Sequence, residues 1–285
     1  MAKLLFGCGY LGSRVLARWL AQGEQVDAVT RRQQRAEELA GQGARPIVAD
    51  VTRPDSLAHL PIAETVLFAV GFDRARYESI HEVYAAGLRA VLDALPKEGG
   101  PVIYLSSTGV YGQDDGRWVD EDSPTEPQRE GGRACLAAER ILAAHPRGVG
   151  GTILRLAGIY GPGRLPRREA LLAGEPIPPP RDGYVNLIHV DDAVSAILAA
   201  EERRGPLRTF VVSDGHPAAR EEYFTEVARL IGAPDPVFAD PHQAPPTPRG
   251  TTSKRASNSR MLAELGVELQ FPSYREGLAA ILGAT

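Results

Sequence analysis

Gly7-Cys8-Gly9-Tyr10-Leu11-Gly12 lies between a short apolar run, Lys3–Phe6, and a helical stripe of Leu11, Val15, Leu16, Trp19 and Leu20 that Gly23 brings to a stop. The spacing is Gly-x-Gly-x-x-Gly, and the setting is strand, turn, helix. Each glycine then has its own task. The first permits the tight turn, the second lets backbone approach a pyrophosphate, and the third lets helix and strand pack closely. The start of the helix adds free N–H groups and partial positive charge. The stretch predicts a seat for the diphosphate of a dinucleotide, held by Gly7, Gly9, Tyr10, Leu11 and Gly12.

Outward from the loop, Gln25–Thr30, Arg45–Asp50, Thr65–Val70, Val102–Ser106 and Thr152–Leu156 read as further strands. Between them lie an Arg- and Glu-rich helix ending near Gly41, a long helix marked by Tyr77, Ile80, Tyr84, Leu88, Val91 and Leu95, and a helix over Arg133–Ala144. Such alternation implies parallel strands joined by right-handed crossovers. The expected fold is α/β, a doubly wound parallel sheet of the Rossmann type with a small C-terminal substrate lobe. A closed barrel is disfavoured because the rhythm fails after about residue 160. Beyond it come Pro176, Pro178, Pro179 and Pro180, and an irregular stretch, Asp240–Ser253, with Pro241, Pro245, Pro246 and Pro248. The expected division is 1–160 for the dinucleotide domain and 161–285 mainly for the lobe, with segments returning to the sheet.

The 285 residues carry 32 Lys+Arg against 36 Asp+Glu, a net charge of −4 that argues against nucleic acid as a partner. Hydrophobic residues make up 43% of the chain, enough for a well-buried core. No apolar stretch approaches the roughly 20 residues that cross a bilayer. The N-terminus runs straight into the glycine loop, so a cytoplasmic protein with no membrane partner is expected. Cys8 and Cys135 form neither a disulfide framework nor a zinc pattern, and six histidines are dispersed, so no metal is expected.

The second strand ends Val29-Thr30-Arg31-Arg32. A site that prefers NAD usually places a carboxylate here for the ribose diol. Guanidinium forks suit a phosphate instead. Arg31 and Arg32, joined by Arg14, therefore favour NADP, with NAD as the alternative. Asp27 is a rival ribose ligand three residues earlier.

Further ordered motifs follow: Asp50-Val51 after the third strand, Ala69-Val70-Gly71 after the fourth, Ser106-Ser107-Thr108-Gly109-Val110-Tyr111-Gly112 after the fifth, then Leu156-Ala157-Gly158 and His189-Val190-Asp191-Asp192. This set resembles the extended short-chain dehydrogenase/reductase superfamily, the NAD(P)-dependent epimerase/dehydratase group that acts on nucleotide sugars. The resemblance implies roles for matching positions. Asp50 and Val51 would contact adenine, and Ala69, Val70 and Gly71 would line the cofactor. Ser106 would sit beside the nicotinamide, with Leu156, Ala157 and Gly158 under it. Ser107 would be the catalytic hydroxyl. Arg164, Tyr184, Asn186 and Arg260 would meet a small-molecule substrate. The state implied is a monomer or a homodimer, pairing through the long helices. For His189 and Asp191, helix capping and packing are favoured over chemistry.

One departure stands out. The family carries Tyr-x-x-x-Lys on the helix after the serine strand. Aligned from Glu139, the tyrosine position holds Gly131 and the lysine position Cys135, and no tyrosine lies between Tyr111 and Tyr160. The chain thus resembles an atypical branch without the usual acid. Substitutes are Tyr111, Tyr184, His189, Asp114 and Asp115, Arg133 as a fixed cation, and Cys135 as a nucleophile. Two readings follow. One is an NAD(P)-dependent oxidoreductase or epimerase/dehydratase with a non-standard proton donor. The other is a non-catalytic NADP(H)-binding sensor or regulatory protein.

Overall fold

The computed structural model describes residues 2–73, 75, 79–178, 180–240 and 253–283. Tyr77, Pro179, Pro241, Pro245, Pro246 and Pro248 lie outside the described residues. In chain order the elements are β1 (Ala2–Phe6), α1 (Gly12–Ala21), β2 (Val26–Thr30), α2 (Gln33–Gly41), β3 (Arg45–Val48), β4 (Ala63–Phe68), α3 (Gly87–Ala94), β5 (Val102–Ser107), β6 (Trp118–Val119), α4 (Glu130–Ala144), β7 (Thr152–Leu156), β8 (Gly158–Tyr160), α5 (Arg168–Leu172), β9 (Tyr184–Val185), β10 (Leu187–His189), α6 (Val190–Glu202), β11 (Arg208–Val212), β12 (Ala218–Ala219), α7 (Arg220–Ile231), β13 (Arg255–Ala256), α8 (Ser259–Leu265) and α9 (Tyr274–Leu282).

Seven strands form one sheet in the order β11-β7-β5-β4-β1-β2-β3. The pairs β1–β2, β1–β4, β2–β3 and β4–β5 are parallel. The order reverses at β1, which is the doubly wound arrangement that the alternation predicts. A reversal of this kind opens a crevice beyond the carboxyl ends of the strands. The glycine turn leaves β1 at that end.

The chain divides into two compact units. The first holds residues up to Ser107, Glu130–Arg155 and Val194–Phe210, and the second holds the remainder.

In the first unit, strands buried on both faces read as continuous apolar runs. Leu4, Phe6, Val66, Phe68, Leu88, Val91, Val102 and Tyr104 form its core. Lys3 is the charged exception in β1, and the fold meets it. Its ammonium lies 3.3 Å from Glu201 Oε1, and Trp19 Nε1 donates to Glu201 Oε2 at 2.8 Å. The third strand ends at Val48, two residues before the expected Asp50, because Asp50 Oδ1 accepts from Thr52 N at 3.0 Å and turns the chain. The described part of the long helix carries a π-helical turn, Glu82–Ala86, and continues as α3. Gly87 lets it close on the sheet, since a Cβ there would lie 2.8 Å from Val51 Cγ2.

In the second unit, Tyr160, Leu187, Tyr223, Phe224, Val227 and Leu278 form the core. A Cβ at Gly277 would lie 2.0 Å from Tyr160 Oη, so α9 packs against that ring only through glycine. Asp192 accepts from Gln270 N at 2.7 Å and Phe271 N at 3.0 Å, which ties the segment before α9 to the start of α6. Among the described residues, no helix is long and apolar enough to cross a membrane.

Candidate functional site

The three glycines of the turn meet three different surroundings. Gly7 has φ +95°, and a Cβ there would lie 2.4 Å from Ala69 O. A Cβ at Gly12 would lie 2.0 Å from Gly7 O. Both positions are dictated by the protein's own packing. Gly9 differs: a Cβ there would have nothing within 4 Å. Its bare backbone borders a cavity of about 350 Å³ in the first unit, within the size range of ligand sites. Ser13 Oγ donates to Cys8 O at 2.8 Å and steadies the loop, and the first turn of α1 has no acidic residue to compete with a bound anion.

The same cavity is lined by Val51 and Val70 on its apolar side and by Arg31, Arg32 and Arg35 on its basic side. Arg35 was not among the residues singled out from sequence. Arg35 lies in the first turn of α2, just beyond the Arg31-Arg32 pair. It reaches back from α2, donating to Cys8 O and Ser13 Oγ at 3.3 Å each. Arg31 lies 3.5 Å from Asp73 Oδ2. Arg14 turns elsewhere: it donates to Tyr10 O at 2.8 Å and stacks over the Tyr10 ring at 4.1 Å. Asp27 is taken by Arg45, whose Nε and Nη2 bridge both carboxylate oxygens at 2.9 and 2.8 Å. Gly71 also lines the cavity, whereas Ala69 lies behind the turn against Gly7. Burial pushes the Cys8 thiol up to about 11, so at neutral pH the loop presents a neutral sulfhydryl.

At the carboxyl end of β5, Ser106 and Ser107 point the chain out of the sheet. Ser106 is buried and donates to Glu139 Oε1 at 2.5 Å. Arg155 grips the same carboxylate, Nε to Oε1 at 3.0 Å and Nη2 to Oε2 at 2.7 Å. Ser107 is half-buried. On α4, a Cβ at Gly131 would stand 3.6 Å from Ile80 Cδ1, an ordinary contact. Cys135 is buried, and burial lifts its thiol to about 11, which leaves it protonated rather than nucleophilic at neutral pH. Arg133 is exposed and paired with Glu130 at 2.9 Å.

In the second unit, Tyr111 is fully buried. Leu156 and Ala157 are buried and Gly158 is exposed. Asp115 sits on an exposed turn, held below the usual carboxylate range by its hydrogen bond from Arg117. His189 is buried, its Nδ1 accepts from Asp191 N at 3.3 Å, and its ring packs 3.9 Å from that of Phe271. Of the proposed substrate residues, Arg164 is exposed and Tyr184 is 38% exposed. Asn186 spends its amide on backbone, donating to Lys254 O at 2.9 Å and accepting from Ala256 N at 2.6 Å. Arg260 lies among Glu121, Asp122 and Glu264. Among the described residues, no group of three or more His, Cys, Asp or Glu could hold a metal ion.

The donor set suits a pyridine dinucleotide: an open-faced glycine turn, a helix start without acids, an apolar slot, and guanidinium groups at the far end of β2. Comparison with known proteins agrees. Residues 4–213 match the model of the NAD dependent epimerase/dehydratase family. The chain is 30% identical over 275 residues to Protein YeeZ of Escherichia coli K12, covering 94% of this chain and 95% of that protein. It is 29% identical over 301 residues to the 3-diazoavenalumate denitrifying reductase of a Streptomyces species, covering 95% and 96%. A solved structure from Methylobacillus flagellatus, described under the same family name, superposes with TM-score 0.76 at 36% identity, covering 99% of this chain and 98% of that one. The chain belongs to the NAD dependent epimerase/dehydratase family and is an NAD(P)-dependent enzyme of the oxidoreductase and epimerase class.

Proposed function

We propose that the chain is an NADP-dependent oxidoreductase acting on a carbonyl or hydroxyl carbon of a small molecule, with a nucleotide sugar as one candidate class. The observation that carries the reading is the cavity beside Gly9, which Arg31, Arg32 and Arg35 line and to which no carboxylate contributes among the described lining residues; guanidinium groups suit a phosphate there. The cofactor, when bound, supplies hydride chemistry. Everything else falls to the chain. Gly7, Gly9 and Gly12 with Tyr10 and Leu11 seat the diphosphate. Arg31, Arg32 and Arg35 hold a 2′-phosphate, and Val51 with Val70 and Gly71 excludes water along the slot. Asp50 shapes the adenine end through its turn. Ser106, locked by Glu139, aligns the strand end, and Ser107 hydrogen-bonds the reacting oxygen. With Gly131 in place of the family's tyrosine, the proton comes from another source.

The reductase named among the relatives supports this direction of chemistry. The test is NADPH oxidation by purified protein across a panel of carbonyl compounds and nucleotide sugars. Turnover with at least one substrate is expected, falling about 100-fold or more in Ser107→Ala. No hydride transfer to any member of the panel would contradict the proposal.

A further inference from the structure

β13 pairs in parallel with β6, Arg255 opposite Trp118 and Ala256 opposite Val119. Arg255 N and Ser257 N donate to Arg117 O and Val119 O, both at 2.9 Å. Side chains along such a strand alternate between faces. Arg255 takes the outer face, its guanidinium 5.2 Å from the Trp118 and Tyr184 rings. Lys254 and Ala256 are buried, at 6% and 0% exposure. Asn186, bonded to Lys254 O and Ala256 N, holds this stretch from the other side. The sequence period thus drives a lysine inward on a backbone clamped at alternate residues.

An ammonium in that position is costly unless it is paired. Among the described residues, Lys254 Nζ has one hydrogen-bond acceptor, Tyr111 O at 3.0 Å, and no carboxylate partner. Its three N–H donors therefore exceed its acceptors. Burial pulls the group down to about 8, and the charge of Arg129 acts in the same direction. Among the described residues no carboxylate offsets this cost beyond the bond to Tyr111 O, whereas a ligand's negative oxygen would satisfy both the spare donors and the excess positive charge.

We propose that the Lys254 ammonium, seated on the Tyr111 carbonyl, is an oxyanion-binding group whose next partner is an anionic oxygen of a phosphoryl or carboxyl group. Lys254 and the Tyr111 carbonyl lie outside the cofactor cavity, so anion binding there is independent of the coenzyme.

The chain has only three lysines, Lys3, Lys97 and Lys254, so each gives a separable NMR signal in lysine-labelled protein. The whole protein is titrated with pH in the presence of orthophosphate and, separately, of acetate. The Lys254 midpoint, near 8 without anion, is expected to rise by about one unit or more with at least one probe. A response to phosphate alone selects a phosphoryl ligand, and a response to acetate alone selects a carboxylate. Lys254→Met is expected to weaken binding of the responding anion at least about tenfold by calorimetry. A Lys254 midpoint unmoved by both anions overturns the proposal, as does a folded Lys254→Met protein that binds the anion like the parent. If Lys254→Met does not fold, the titration of the native protein still decides.

Discussion

Ser106 Oγ donates to Glu139 Oε1 across 2.5 Å, so the end of the serine strand is bolted to the middle of α4. The carboxylate that receives this bond is also the partner of a buried guanidinium, Arg155. Removing it strands a charge in the interior. Glu139→Ala is predicted to cost about 3–5 kcal/mol of stability in urea unfolding, with Glu139→Gln costing less because the amide oxygen still accepts from Ser106. An Ala variant as stable as the parent would show the pair to be dispensable.

The turn glycines separate folding from binding. Gly12→Ala places a methyl 2.0 Å from Gly7 O, so thermal melting should fall sharply. Gly9→Ala meets nothing in the protein, so its melting should stay close to the parent's while dinucleotide binding weakens strongly. Equal binding by Gly9→Ala and the parent would remove the assigned reason for that glycine.

On the proposed reading, Arg31, Arg32 and Arg35 favour NADP over NAD. Each charge-assisted bond to a phosphate is worth about 1.5–3 kcal/mol, which is roughly 10- to 100-fold in affinity. Arg35→Ala should raise the Kd for NADP by that factor and change the Kd for NAD little. Equal loss for both coenzymes would assign Arg35 to the loop it braces, through Cys8 O and Ser13 Oγ, rather than to the phosphate.

Asp214 carries a pH dependence. It is buried, accepts from His216 N at 3.0 Å, and burial, opposed in part by that bond, lifts its carboxyl from near 3.8 to about 7. Between those pH values the folded protein keeps a proton that the unfolded chain has released. Stability contributed by this group is therefore present below the lower value and lost as pH rises toward the upper one. The loss is on the order of 4 kcal/mol. Asp214→Asn preserves the acceptor and removes the ionisation. Its melting temperature should fall less than the parent's between pH 4 and pH 7, and two parallel curves would refute the assignment.

What the sequence disclosed was whatever is written locally. The glycine turn, the apolar strands and the alternation with helices occupy contiguous stretches, and they led to the doubly wound sheet and to the family. The same local reading overran β3, because the Asp50 turn competes with strand continuation through a single side chain. It was silent on pairings made by topology: Glu139 with Arg155, Asp27 with Arg45, Lys3 with Glu201. These charges sit in unrelated segments, and no period links them. Arg14 and Arg35 illustrate the difference. Both were basic residues near the turn, yet helix phase sends Arg14 onto Tyr10 and Arg35 into the cavity.

The most direct test is calorimetric titration of the folded protein with NADP and NAD, beside Gly9→Ala. The account predicts heat with the parent, tighter for NADP, and little or none with the variant. Native-like melting combined with no heat from either coenzyme would contradict it.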